Sequence, residues 1–496
     1  MKNQARYYPV LLGIYSALGL VSSNIDQMRL KEGVRSIVIA VLFSLLVYLL
    51  FSWRIRDKEK ASLLTALFLL FFFAYGHLYD ALEGLKIVGV VLGRHRYLFP
   101  AWLLVSAALG WWVYKRSWKL GTTTRFLGLV SIILLVLPII HIGSYEWGRY
   151  RTMQEPDSQA GQSSPQQKLP GSAGYLPDIY YIILDGYPRQ DALSKYMDFD
   201  NQYFIEQLEG LGFTVPTCSQ SNYAMTLLSL STSLNMNYVE ALGEGSLEGK
   251  ILNSQARKLL EEHGYQTVAL QSSIWFTDFV DADHYISQNQ PVLSSFFDFS
   301  RLTEFEVVYL RTTVLRPLEE AKTAWLDALF QDHRQELYDL IMFQMDQLEL
   351  VPQIEGPKFV FAHILAPHAR EAYFNAEGEF AYSRSDAALT EEFQYLNQRT
   401  LEIVQTILAG SEKPPVIIIQ GDHGLDTEVR MAIFNAYHLP GEGAKQIYPA
   451  ITPVNSFRVV FNTYLGEDFP LLPDVSFYSP YEDMFNFTPV QYPCTP

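Results

Sequence analysis

Cysteine is nearly missing from this chain. Its 496 residues include two, Cys218 and Cys494, too few for a disulfide framework or a cysteine-built metal centre. Long apolar runs are absent beyond residue 150, which excludes membrane spans from the last two thirds. Basic charge is also scarce there: residues 151–496 hold 20 Lys and Arg against 46 Asp and Glu. That imbalance repels a phosphate backbone, so a nucleic-acid partner is excluded. No internal repeat is found.

The apolar residues are concentrated in the first 150. Aromatic content of 14% and a mean hydropathy of +0.04 place part of the chain in lipid. Five stretches, 7–24, 36–53, 61–79, 97–114 and 126–143, approach the length that crosses a bilayer. Residues 1–150 therefore read as a membrane domain of about five spans. The loops on one side carry ten Lys and Arg (Lys2, Arg6, Arg54, Arg56, Lys58, Lys60, Lys115, Arg116, Lys119, Arg125), and those on the other carry six. The positive-inside rule then keeps the N-terminus in the cytoplasm, and an odd span count exports the rest. An extra crossing at 87–93 would reverse this, but that piece is too short. Residues 151–176, rich in Gln, Ser, Pro and Gly, read as a flexible linker.

From 177 to 496, short apolar runs alternate with helical patterns. Strands are expected near 178–184, 266–270, 358–364, 415–420 and 457–462, and helices near 200–210, 222–234, 254–262, 336–349 and 388–409. This is the pattern of an α/β domain with a mainly parallel sheet. The stretch Ser287–Trp325 fits no clean period and reads as peripheral packing. Two of the runs end in metal-ligand types: Ile182-Ile183-Leu184-Asp185-Gly186 and Ile417-Ile418-Ile419-Gln420-Gly421-Asp422-His423-Gly424. A parallel sheet gathers chemistry at the carboxyl ends of its strands. Asp185, Asp422 and His423 would then meet on one rim, as ligands for a divalent cation. A turn acid closing each strand is the plainer alternative, and it suits Asp185 better than the Asp-His-Gly triplet.

These two segments resemble the alkaline-phosphatase superfamily, which includes sulfatases, phosphodiesterases, lipoteichoic acid synthases and phosphoethanolamine transferases. The membrane-plus-linker layout is similar to that of the last two, often described as sulfatase-like membrane proteins. The resemblance implies a metal-dependent phosphotransferase or phosphohydrolase acting through a covalent Ser or Thr intermediate on a lipid-linked or glycan substrate, at the outer face of the cell membrane. It implies a divalent ion, manganese first, with zinc, magnesium or calcium as the others. The oligomeric state stays open. Two rivals stand beside this reading: a sulfuric ester hydrolase, and a glycan-binding pseudoenzyme of the same fold. Formylglycine sulfatases need Pro and Arg after their Cys or Ser, and Cys218-Ser219-Gln220-Ser221-Asn222 has neither.

The family's nucleophile sits at a helix N-terminus shortly after the first strand. Two registers compete. Ser221, with Thr226 and Ser229 five and eight positions later, resembles alkaline phosphatases and could also ligate the metal. Thr226 resembles the transferases. Phosphoethanolamine transferases carry a segment similar to His363-Ile-Leu-Ala-Pro-His368, whose second His contacts substrate, so His368 is a catalytic candidate. His363 is a candidate for substrate or second-metal binding, or a satisfied core histidine. Arg189 and Arg430 could clamp an anionic substrate or form ordinary salt bridges. Asp281-Ala-Asp283-His284 could be a metal cluster but lacks a second anchor. Cys218 and Cys494, both on the exported side, could form a disulfide, though sequence cannot show that they meet.

Overall fold

Apolar helices come first and a sheet later. In the computed structural model the chain is described at residues 7–25, 28, 30–82, 86–87, 90–91, 94–116, 120–154, 176–243, 245–288, 302–320, 324–367, 373–381, 386–424 and 429–494. It divides into two compact units. One joins residues 1–147 with 290–333, and the other joins 148–289 with 334–496.

The first unit is helical: α1 (Tyr8–Ser23), α2 (Leu30–Arg54), α3 (Lys58–Leu82), α4 (His95–Lys115) and α5 (Gly121–Gln154). Among the described residues, four segments, lying within α2 to α5, are long and apolar enough to cross a membrane. The stretch expected to span at 7–24 folds as α1, whose 16 residues are shorter than the others. Residues 86–87 and 90–91, which include the described part of the 87–93 piece, form a short antiparallel pair.

Within the 287–325 stretch, residues 302–320 pack against these helices. Thr303 caps a helix of Glu304–Arg311 through a reciprocal capping box with Glu306, which satisfies two otherwise orphaned N–H groups. Phe305 and Tyr309 of that helix join Ala17, Val21, Met28 and Ala40 in one buried cluster. The Tyr309 hydroxyl lies 2.6 Å from Ser16 Oγ. Glu306 is buried, and the buried Arg35 guanidinium donates to both of its carboxylate oxygens. Gly76 is required where α3 meets the chain that follows: a Cβ there would sit 2.0 Å from the Arg311 carbonyl oxygen, and its own N–H donates to Thr312 O at 2.9 Å.

The second unit is built on six strands: β1 (Ile179–Leu184), β2 (Gln266–Leu270), β3 (His284–Ile286), β4 (Lys358–Ile364), β5 (Val416–Gln420) and β6 (Asn435–His438). Their order is β6-β5-β1-β4-β2-β3, parallel throughout except for β6. Alternate residues of β1 serve opposite faces. Tyr180, Ile182 and Leu184 pack in a cluster with Ile341 and Met345 of one helix and Phe393 and Val404 of another. Tyr181 instead packs edge-on against Phe457. With both faces covered, the central strands read as unbroken apolar runs.

Residues 457–462, expected as a strand, belong instead to a helix, Pro453–Tyr464. Pro453 starts it at a position where proline costs no hydrogen bond. Because Pro453 to Phe461 are all buried, the helix shows no polar face and mimics a buried strand. Cys218 and Cys494 are bonded to each other, their Cα atoms 5.4 Å apart.

Candidate active site

The sheet register sets the site. Ile183 of β1 stands between His363 of β4 and Gln420 of β5, so the residues leaving all three strands emerge at one rim. Gly421 allows the close approach, since a Cβ at that position would lie 2.2 Å from the Tyr187 carbonyl oxygen. Asp422 then comes within reach of the β1 exit, and its Oδ1 accepts from the Gly186 N–H at 2.9 Å.

Asp185, Asp422 and His423 meet there, each offering a ligand atom, with those atoms within 4.8 Å of one another. All three residues are 1% exposed or less. His423 Nδ1 lies 2.9 Å from the Gly424 carbonyl oxygen. A carbonyl can only accept, so Nδ1 carries the proton, and in a neutral ring the Nε2 lone pair is left inward. That nitrogen is 3.7 Å from Asp185 Oδ1 and 3.8 Å from Asp422 Oδ2. Asp422 Oδ2 is buried with no hydrogen-bond partner. Lone pairs gathered out of water repel one another unless a positive charge lies between them. The donor set therefore fits a divalent cation, two hard carboxylates with one borderline imidazole.

Ser221 was expected at the start of a helix over 222–234. The helix, labelled α6 here in chain order, runs Thr226–Asn235, and Ser221 lies in the approach to it. The segment Asn222 to Met225 stays non-helical because it is pinned elsewhere: Asn222 contacts Thr452, Val454 and Val475. Ser221 is fully buried. Its hydroxyl faces the carbonyls of Asp422 at 2.6 Å and Tyr223 at 2.7 Å, and Ser229 Oγ at 3.1 Å. It thereby ties the Asp422–His423 loop to the first turns of α6. Thr226 is the first residue of α6 and is half-buried. Met225, the capping position, supplies no side-chain cap, which leaves the first N–H groups of the helix available to an anion.

Arg430 donates to the Ala224 carbonyl and to the Tyr481 hydroxyl, so it flanks the entry to α6. Arg189 is placed differently. Its guanidinium grips Asp191 at 2.7 and 2.8 Å and also donates to the Ser219 and Pro493 carbonyls. These contacts commit it to bracing the loop beside the disulfide. His363 joins the cluster, its Nε2 3.1 Å from Asp185 Oδ2. His368 lies outside the described residues, as does most of the 151–176 linker.

Asp281, Asp283 and His284 form no metal cluster. Asp281 pairs with Arg257, Asp283 accepts from the Thr267 N–H, and His284 meets Gln266. Tyr181, beneath the rim, has its phenol pushed well above its ordinary range by burial, partly offset by Ser233; it serves as a neutral hydrogen-bonding group. Thr277 and Gln344, which hold His363, carried no sequence signal, because they come from a single 3-10 turn and from the side of a long helix.

In fold, the chain is similar to several solved structures. The integral membrane lipooligosaccharide phosphoethanolamine transferase A of Neisseria meningitidis matches at 12% identity over 92% of this chain and 94% of that one, with a TM-score of 0.41. The C-terminal periplasmic domain of EptC from Escherichia coli matches at 12% over 65% and 94%, TM-score 0.39. The phosphonate monoester hydrolase of Agrobacterium radiobacter matches at 11% over 61% and 80%, TM-score 0.34. No family model matches the chain, and no curated protein does.

Proposed function

We propose that this protein is a membrane-anchored, metal-dependent phosphotransferase or phosphohydrolase, with its second unit outside the cell and Thr226 as the nucleophile. The observation that carries this reading is the buried convergence of Asp185, Asp422 and His423, joined through Ser221 to a helix whose uncapped N-terminus presents a half-buried threonine. The substrate class is a lipid-linked or glycan phosphate. Asp185, Asp422 and His423 would hold the ion, and manganese suits two carboxylates and one imidazole, with zinc, magnesium and calcium as alternatives. When bound, such an ion supplies Lewis acidity, easing loss of a hydroxyl proton and neutralising phosphoryl charge.

The chain's own groups do the rest. The Thr226 hydroxyl releases its proton to water and its oxygen forms a bond to phosphorus while the bond from phosphorus to the leaving oxygen breaks, and the first N–H groups of α6 stabilise the phosphoryl oxygens. The leaving oxygen takes up a proton, the step the resemblance assigns to His368. An acceptor hydroxyl or water then displaces Thr226. Ser221, with its hydroxyl turned to two carbonyls, positions the loop. The test is to incubate the full chain in detergent with manganese and a lipid-linked phospho-donor and to find the labelled residue by mass spectrometry. Label on Thr226, lost in Thr226→Ala with metal content retained, is expected. Label on Ser221 overturns the register, and stoichiometric metal without any label favours a binding module.

A further inference from the structure

One buried histidine has no part in that chemistry. His363 is 1% exposed, and the polar groups around it form a chain. Its Nε2 is 3.1 Å from Asp185 Oδ2 and its Nδ1 is 2.9 Å from Thr277 Oγ1. Thr277 Oγ1 is in turn 2.8 Å from Ser272 Oγ, which accepts from the Ile274 N–H at 3.2 Å. The Gln344 amide fixes the backbone on either side, donating to the carbonyls of His363 and Gln271, each at 2.8 Å.

The direction of the protons follows from what each atom can do. A carboxylate oxygen only accepts, so Nε2 carries the hydrogen. A neutral ring then offers a lone pair at Nδ1, which the Thr277 hydroxyl can fill, and the Ser272 hydroxyl donates to Thr277. The Ile274 carbonyl, 3.0 Å from Thr277 Oγ1, competes for the same hydrogen. Giving it to the carbonyl would leave a buried ring nitrogen without a donor, the costlier outcome. Each donor in Ser272–Thr277–His363 thus points toward Asp185, and such chains strengthen their last member.

We propose that His363 is a positioning residue rather than a substrate-binding one. It holds Asp185 by Oδ2 and turns Oδ1 toward His423 and Asp422, with Thr277 fixing its tautomer. The inference rests on the metal reading of the cluster above. Carboxylate ligands of metals are themselves hydrogen-bonded, and loss of such a partner typically costs on the order of 10–100-fold in metal affinity.

The experiment is manganese binding to the full chain in detergent, measured by competition with a chelator, for wild type, His363→Ala, His363→Gln, Thr277→Val and Thr277→Ser. His363→Ala is expected to weaken binding about 10–100-fold. His363→Gln, whose amide N–H can replace Nε2–H, should recover much of it. Thr277→Val, which keeps the shape and removes the donor, should weaken binding by several-fold, and Thr277→Ser should restore it. Substrate KM at saturating manganese should stay unchanged throughout. Should His363→Ala fail to fold, the Thr277 pair decides. Unchanged affinity in the variants with a raised KM overturns the positioning role and returns His363 to the substrate. Failure of the wild type to bind stoichiometric manganese, zinc, magnesium or calcium instead overturns the metal reading itself.

Discussion

Each unit buries a group of charges, and the two groups are opposites. In the first, Arg35 meets both carboxylate oxygens of Glu306 while Thr303 supplies a further N–H to Glu306. The charges cancel within the protein. In the second, two aspartates and a histidine share a rim, and Asp422 Oδ2 has no hydrogen-bond partner. Among the described residues, ion pairs at this rim join its carboxylates to histidines, where the first unit uses an arginine. Burial alone does not mark a functional residue; the sum of the charges buried together separates a structural pair from a site that needs something added.

The largest effect that would sharpen this contrast is at Asp422. Asp422→Asn should remove stoichiometric metal and turnover together, since the ion loses a charged ligand. In excess chelator, however, the variant should melt no lower than wild type, because the substitution relieves repulsion. Elemental analysis and thermal unfolding check the two halves, and full metal occupancy in the variant would place the site elsewhere. Glu306→Gln should behave in the reverse way. It leaves the Arg35 charge buried without its counter-charge, a loss of about 3–5 kcal/mol, with metal content unaltered. Unfolding of the detergent-solubilised chain measures it, and an unchanged midpoint would break the comparison.

Ser221→Ala should come next. It strips a donor from the Asp422 and Tyr223 carbonyls, at about 1–3 kcal/mol, and turnover should fall without vanishing. A fully stable, fully inactive Ser221→Ala would reinstate Ser221 as the nucleophile. The smallest effect concerns His438, held outside either charge group with Nδ1 2.7 Å from the Pro415 carbonyl. Burial lowers its pKa below the ordinary value, and the hydrogen bond to Pro415 opposes this only in part. The folded form therefore favours the neutral ring. Its contribution is present above about pH 6.5, the unfolded value, and is lost as pH falls through the lower folded pKa. Stability of wild type measured across that window should drop more than that of His438→Asn.

The central sheet was legible because β1, β2, β4 and β5 are short apolar runs buried on both faces, and all four lie within a residue or so of where the sequence puts them. The convergence of Asp185, Asp422 and His423 was legible for the same reason, as each follows such a run. The antiparallel edge β6, Asn435-Ala-Tyr-His438, was missed because it has half-polar composition and only four residues. The start of α6 was misplaced by four residues. Helical propensity reads Ser-Asn as a cap, whereas tertiary hydrogen bonds to Asn222 hold that segment extended, and this moves the open helix end from Ser221 to Thr226. The destination of residues 302–320 was illegible altogether, because Glu306 looks like a surface acid until Arg35, remote in sequence, is brought to it.

That last segment bears on how the protein could be cut down. The chain passes from the first unit to the second after residue 147, returns after 289 and leaves again after 333. A single cut within 155–175 severs one link of three, so the two units remain joined by the chain. The same threading means that a fragment trimmed to 177–496 carries Phe305, Tyr309 and Glu306 stripped of the helices that cover them. Replacing 290–333 with a short polar loop would remove those uncovered groups from such a fragment.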